Sequence, residues 1–212
     1  MKSLPRGRHG LSREFVAQNQ LDRLLASIAA SLHEHGYDNT TVSVITAHAR
    51  VSKSDFYRHF ASKDECFVAA YRDAVERLRR EVLEACAAEE DWSAAVAAAL
   101  EAVLALLARD PARADLLFVE GLRAGPDVYA CFQAAVQSFV PLLLERAPAP
   151  ESGAAPGTGV AEAVVGGIAS LLSRWVLAEE TEELEGRFSE IAEFALTPYL
   201  GTEEARRVGS RR

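Results

Sequence analysis

The 212-residue sequence is short of the residues that several classes of protein depend on. It has three cysteines, Cys66, Cys86 and Cys131, an odd number with no Cys-x-x-Cys spacing. That argues against a disulfide framework or thiolate metal site and reads as reduced thiols in a cytoplasmic protein. No continuous apolar run approaches the roughly 18 to 20 residues that cross a bilayer, so no membrane partner is expected. The opening MKSLPRGRHGLSREF lacks the apolar stretch of a secretory leader. No His-Glu-x-x-His, Gly-x-Ser-x-Gly or phosphate-loop pattern is present, and no nucleophile constellation or carboxylate pair stands out. No catalysis, cofactor or metal is therefore expected. His33 and His35, two apart on one helix, diverge too far to share an ion. Period-two alternation is never sustained, so strands are not expected.

What is present favours helices. Alanine is the commonest residue, 38 of 212. The net charge of −8 is unevenly spread. Residues 1–65 carry nine Lys and Arg against seven Asp and Glu, whereas 66–212 carry 14 against 24. All five histidines also lie in the first 65 residues. A mildly basic head on an acidic body suits an anionic partner at the head.

Residues 1–11, with Arg6, Arg8 and His9, read as a flexible basic arm. Leu21, Leu24, Leu25, Ile28 and Leu32 then recur at helical spacing up to a stop at Gly36. Thr41 caps a short helix, about 42–49, and Arg50–Val51 makes a tight turn. Ser52-Lys53-Ser54-Asp55 is a capping box opening a second short helix to about Phe60. Ser62-Lys63-Asp64-Glu65 is another, opening a long helix over 63–87 with Phe67, Tyr71, Val75, Leu78 and Val82 on one face. Two short helices around a tight turn, held between longer ones, are a helix-turn-helix layout. Further helices are expected from Asp91 to Arg109, from Asp110-Pro111 to a break at Gly125-Pro126, on to Arg146, then over 160–178 and 183–199, with a low-complexity loop at 147–159.

The segment Gly36-Tyr37-Asp38-Asn39-Thr40-Thr41-Val42 leads to Val51-Ser52-Lys53-Ser54-Asp55-Phe56-Tyr57-Arg58-His59-Phe60 and then Ser62-Lys63-Asp64. It resembles the DNA-binding signature of TetR-type (TetR/AcrR) transcriptional regulators over about 50 residues. Two positions depart from the family pattern: Arg50 stands for the turn glycine, and Asp55 for Thr or Ser inside the recognition helix. The resemblance implies an all-α protein with an N-terminal three-helix helix-turn-helix domain and a helical C-terminal ligand-binding and dimerisation domain. The expected divisions are 1–11, 12–62, 63–207 and a tail at 208–212.

A recognition helix needs short polar residues at its N-terminal end to reach base edges, and Lys53, Ser54 and Asp55 supply them. Asp55 has a second reading, as the acid that closes the capping box with Ser52. Thr41 and Lys63 stand at helix starts that attract phosphate. Arg50 must either avoid positive φ or bear a cost of about 1 kcal/mol, and it can meet a phosphate. The resemblance gives Tyr57 and His59 phosphate contacts. Phe56 and Phe60 are expected in the core. The DNA-binding candidates are thus Thr41, Arg50, Ser52, Lys53, Ser54, Asp55, Tyr57, His59 and Lys63.

The resemblance further implies a repressor that binds a palindromic double-stranded DNA operator as a homodimer and is released by a small molecule. Candidate pocket residues are Phe67, Tyr71, Leu106, Phe118, Tyr129, Phe132, Gln133, Gln137 and Trp175, with Gln133 and Gln137 as polar anchors. Their mostly apolar character points to an apolar or aromatic effector. The last two long helices, through Val164, Ile168, Leu172, Phe188, Ile191 and Ala195, are the expected dimer face. The rival reading is a helical ligand-binding or adaptor protein that has lost sequence-specific DNA binding. The small positive charge of the head and the Asp55 carboxylate keep it open.

Overall fold

The computed structural model describes residues 13–121, 126–148, 156–178 and 180–210. The basic arm and the Gly125 break fall outside them. All regular structure among the described residues is helical, as the resemblance implies.

Helix α1 (Arg13–Asn39) places Leu24, Ile28 and Leu32 on one fully buried stripe. Its helical path breaks at Gly36, whose φ of 71° suits a residue without Cβ. Thr40, itself buried, closes the break by donating to the carbonyls of Ser31 and Gly36 at 3.0 and 2.8 Å. Helices α2 (Val42–Ala49) and α3 (Lys53–His59) follow, then α4 (Lys63–Ala87). Ile45, Phe56, Phe60, Cys66 and Phe67 pack with the α1 stripe as one apolar core. Thr41, Ser52, Ser62 and Asp91 each accept from a backbone N–H three residues on, fixing the starts of α2, α3, α4 and α5 (Trp92–Arg109).

Asp110 and Pro111 open α6 (Pro111–Asp115). It widens into a π turn over Leu116–Glu120, a feature the sequence did not announce. Helices α7 (Pro126–Leu144) and α8 (Thr158–Leu177) complete the wall opposite α4 and α5. The helix expected from 183 instead begins as a 3-10 segment, Thr181–Arg187, and turns α-helical only as α9 (Phe188–Leu200). A further helix, α10 (Thr202–Gly209), corrects the tail drawn at 208–212: Val208 and Gly209 are buried in it.

Two helices bear on the run-length expectation, although charged residues interrupt both. Trp92–Arg109 and Thr158–Leu177 reach a mean hydropathy of 1.6 and 1.5, long and apolar enough to cross a membrane by length and composition alone. In this fold they are spent differently. Val96, Leu100, Leu104 and Leu107 of α5, and Val164, Val165, Leu172 and Val176 of α8, are buried against neighbouring helices.

Candidate nucleic-acid interface and effector cavity

The turn between α2 and α3 determines how the recognition helix is presented. Arg50 takes φ 52°, so of the two alternatives it adopts the left-handed one, at a cost of about 1 kcal/mol. Two interactions hold it there. Its N–H donates to Ala47 O at 3.2 Å, and the following Val51 N–H reaches Thr46 O at 3.0 Å, which closes the α2 C-terminus. From α1, the Arg23 guanidinium donates to Ala49 O and, at 2.8 Å, to Arg50 O. A cation on the last carbonyls of a helix also opposes its dipole. Nothing local in the sequence marked Arg23 for this role, because its partners lie 26 and 27 residues away.

Ser52 accepts from Asp55 N–H at 3.0 Å, and its hydroxyl donates to the Asp55 carboxylate at 2.8 Å. Arg58 pairs with the same carboxylate from the next turn. Asp55 is therefore occupied within α3, matching its capping reading. Lys53 and Ser54 are exposed at the start of α3. Tyr57 is 58% exposed although its ring edge rests on Phe56. His59 is half-buried with its ring 6.2 Å from that of Phe60. Phe56 and Phe60 are buried, as expected.

Lys63 departs from its expected place as a phosphate clamp. Its ammonium donates to Tyr37 O at 2.8 Å and lies 3.8 Å over the Tyr37 ring. It joins α4 to the end of α1. The Tyr37 hydroxyl in turn donates to Asp64. Burial and that carboxylate both hold the phenol well above its usual range.

Two further links tie this domain to the body. Tyr37 N–H donates to Glu120 Oε2 at 3.1 Å, and His33 Nδ1 meets Asp115 Oδ2. Glu120 is buried, and both acids belong to α6 or its π turn. No local pattern signals these pairs, whose members lie 83 and 82 residues apart.

On the other side of the π turn lies a cavity of about 190 Å³. Along α4 its wall runs through Tyr71, Val75, Leu78, Val82 and Cys86. Phe118 of the π turn and Phe132, Val136 and Phe139 of α7 close it, and Trp92 and Arg146 are also in its wall. Three expected pocket residues are in the wall: Tyr71, Phe118 and Phe132. The other six are not. Phe67, Leu106 and Trp175 are packed as core. Tyr129, Gln133 and Gln137 are exposed on the outer side of α7, where Gln133 donates to the Tyr129 hydroxyl at 2.6 Å. Gln133 is one residue, about 100°, from Phe132 on the helix, enough to turn it out of the wall.

The expected dimer residues also need correction. Val164, Leu172, Phe188, Ile191 and Ala195 are buried within the chain, and Ile168 and Leu172 line the cavity. The apolar surface that α8 and α9 leave exposed is a different stripe. It holds Val160 and Phe194, 39% and 40% exposed, with the Phe194 ring over Gly167, where a Cβ would come within 2.4 Å.

Comparison with known proteins agrees with this arrangement. Residues 24–70 match the model of the tetR family of bacterial regulatory proteins. Over 55 residues the chain is 42% identical to uncharacterized HTH-type transcriptional regulators of Mycobacterium bovis and Mycobacterium tuberculosis, a match covering 26% of this chain and 27% of each relative. Among solved structures, the fatty acid degradation regulator FadR from Bacillus halodurans superposes with a TM-score of 0.72 at 16% identity, over 85% of this chain and 94% of that one. FadR from Bacillus subtilis, solved in complex with stearoyl-CoA, gives 0.73 at 16%, over 85% and 98%. The regulator PfmR from Thermus thermophilus gives 0.60 at 20%, over 79% and 94%. At such identities the likeness concerns the fold.

Proposed function

We propose, from the premise that residues 24–70 match the tetR family of bacterial regulatory proteins, that this chain is a repressor of that kind: a homodimer that binds a palindromic DNA operator and is released when an apolar molecule enters the cavity beside α4. The observation that carries this reading is the π turn. One side of it, through Phe118, walls the cavity, and the other, through Glu120, holds the backbone of Tyr37 just before the helix-turn-helix. A ligand that repacks the first side has a direct mechanical route to the second. It shifts DNA affinity only by its differential affinity for the two arrangements.

On the DNA side, Lys53 and Ser54 are the base-facing residues of α3. Thr41, Arg50, Tyr57 and His59 approach the phosphates, which position the domain without specifying sequence. Ser52 acts through the cap. With Asp55 neutralised by Arg58 and Ser52, the objection that a bare carboxylate would repel DNA loses its force, which favours a DNA-binding protein over an adaptor. Residues 12–62 form the DNA-reading unit, and the chain from 63 to the end of α10 at Gly209 forms the sensing and pairing unit. Two copies pair through the Val160, Gly167 and Phe194 face, a four-helix arrangement of α8 and α9 with their partners.

The cavity size speaks to the effector. An apolar cavity of about 150 Å³ accepts benzene, so about 190 Å³ holds an apolar group of about eight carbons without rearrangement. The wall follows α4 from Tyr71 to Cys86, a rise of about 22 Å, so the space is a slot that suits a chain better than a fused ring system. The stearoyl-CoA complex of the Bacillus subtilis FadR, which shares the fold, supports a chain-like ligand here.

The test is selection of binding sites from random duplex DNA by the purified protein, followed by release with alkyl-chain ligands. Recovery of a palindrome, with binding that falls steeply with salt, is the expected result. A folded protein that enriches no sequence even at low salt would overturn the repressor reading.

A further inference from the structure

The slot is not the only space along α4. A wider groove of about 1000 Å³ lies between α4, the end of α1 and α7. Tyr37, Asp64, Arg72, Glu76, Arg79 and Cys131 are on its wall. The slot and the groove share Tyr71, Val75 and Ala135, so the two spaces adjoin along α4 and α7.

That shared wall carries a polar group. Tyr71 is 2% exposed and lines both spaces. Burial holds that phenol above its usual range, so it stays a donor. A phenol in the wall shared by two spaces can donate to a ligand that reaches both.

The groove also carries unspent cations. Arg72 and Arg79 are two helical turns apart, about 10 Å along α4. Neither makes an ion pair or hydrogen bond among the described residues, whereas Arg77 pairs with Asp73 and Arg109 with Glu81. Two of the groove's acids are already committed: Asp64 accepts from the Tyr37 hydroxyl and Glu65 from Ala61 N–H at 2.6 Å. Glu76, between the two arginines, remains to oppose an anion.

We propose that slot and groove are one site for an amphiphile: an unbranched acyl chain in the slot, its carbonyl linkage on the Tyr71 hydroxyl, and a bulky phosphate-bearing head group across Arg72 and Arg79. The groove has about five times the volume of the slot, which matches a large head on a thin tail. The inference rests on the reading of the slot as the effector site. It adds that the acyl conjugate, and not the free acid, is what the protein recognises. The head would also lie beside the Tyr37–Asp64 contact, where it can act on the junction between the two domains.

The experiment is titration of the full-length protein with octanoyl-CoA, octanoate and free CoA, read by tryptophan fluorescence, to which Trp92 in the slot wall contributes. Octanoyl-CoA is expected to bind at least about tenfold tighter than octanoate, since charge-assisted bonds to phosphate are the strong ones. The double variant Arg72→Ala, Arg79→Ala should lose that advantage and keep octanoate affinity, which also reports that it is folded. Glu76→Gln should tighten octanoyl-CoA two- to threefold. Tyr71→Phe should weaken both acyl probes. Equal affinity for octanoate and octanoyl-CoA, or an arginine variant that keeps the full advantage, would overturn the head-group site and leave the slot reading standing. Failure of both acyl probes to bind folded protein would overturn the slot reading and this inference together.

Discussion

The carboxylate of Glu120 accepts the backbone N–H of Tyr37 at 3.1 Å, across 83 residues of chain. The bond joins a buried acid on the cavity wall element to the residue that follows the α1 break. Removing it should separate the two units functionally. Glu120→Ala is expected to bind effector with little change while DNA affinity becomes insensitive to it. A stability loss of about 1–3 kcal/mol should accompany this, from the stranded N–H of Tyr37. Operator binding with and without ligand, beside a thermal melt, checks both. Retained full response in Glu120→Ala would mean that the signal travels by the other link, His33 to Asp115.

Arg50 occupies the left-handed region in the turn that aims α3. Arg50→Gly should therefore raise stability by about 1 kcal/mol, a shift of about 2–4 °C in a chain of this size. It also removes a cation from the DNA side, so affinity for all sequences should fall and the salt slope should drop by about one. A higher Tm with an unchanged slope would show that Arg50 does not meet a phosphate.

Arg23 gives the opposite pattern. Its guanidinium holds the carbonyls of Ala49 and Arg50 from behind, so Arg23→Ala should weaken operator binding through the angle of α3. Loss of bonds from a charged donor costs about 1.5–3 kcal/mol. A melt and a binding isotherm on the same preparation distinguish this from a phosphate contact, whose loss would leave the melt unchanged.

Phe194 is the exposed aromatic of the proposed pairing face, and Gly167 is the space beneath it. Phe194→Glu should yield a folded, helical monomer in sedimentation with weak operator binding. Gly167→Ala should lift the ring and weaken the dimer less. A Phe194→Glu protein that still sediments as a dimer would place the interface elsewhere.

Alkaline stability follows from three groups that burial holds above their usual range: the phenols of Tyr37 and Tyr71, and the Cys66 thiol, pushed up to about 12. In the unfolded chain these groups release their protons at ordinary values, about 8.5 for Cys and about 10 for Tyr. Above that range the unfolded state binds fewer protons than the folded one. Stability therefore falls as pH rises, with the loss beginning near about pH 9. Melting temperatures from neutral to strongly alkaline pH should show this decline, and Cys66 should resist alkylation at mildly alkaline pH until the chain unfolds.

The helix starts were legible because their determinants are local. Thr41, Ser52, Ser62 and Asp91 each cap through a bond spanning three residues, and α2 to α5 begin where those residues direct. The interior of the body was not legible in this way. Apolar periodicity identifies which face of a helix is inward, but not whether that face meets a neighbour or a void. Phe67 and Tyr71, four residues apart, fell on opposite sides of that distinction: one is core, the other cavity wall. Val164 and Ile191 likewise spend their apolar surface inside one chain, where the sequence alone allowed a partner. Lys63 and Arg23 depend on carbonyls far along the chain, and no spacing rule reaches that distance.

The π turn over Leu116–Glu120 has a consequence for how such a protein can change over evolutionary time. A wide turn holds one residue more than an α-helix requires, and each residue sets about 100° of rotation. Loss of that single residue would leave a continuous helix and a folded core on both sides. It would also swing Glu120 away from Tyr37 and turn Gly121, whose missing Cβ makes room for the Tyr71 ring, out of register. On the proposed reading, a one-codon deletion here would produce a chain that still folds but no longer responds to its effector, a simple genetic route from an inducible repressor to a non-inducible one.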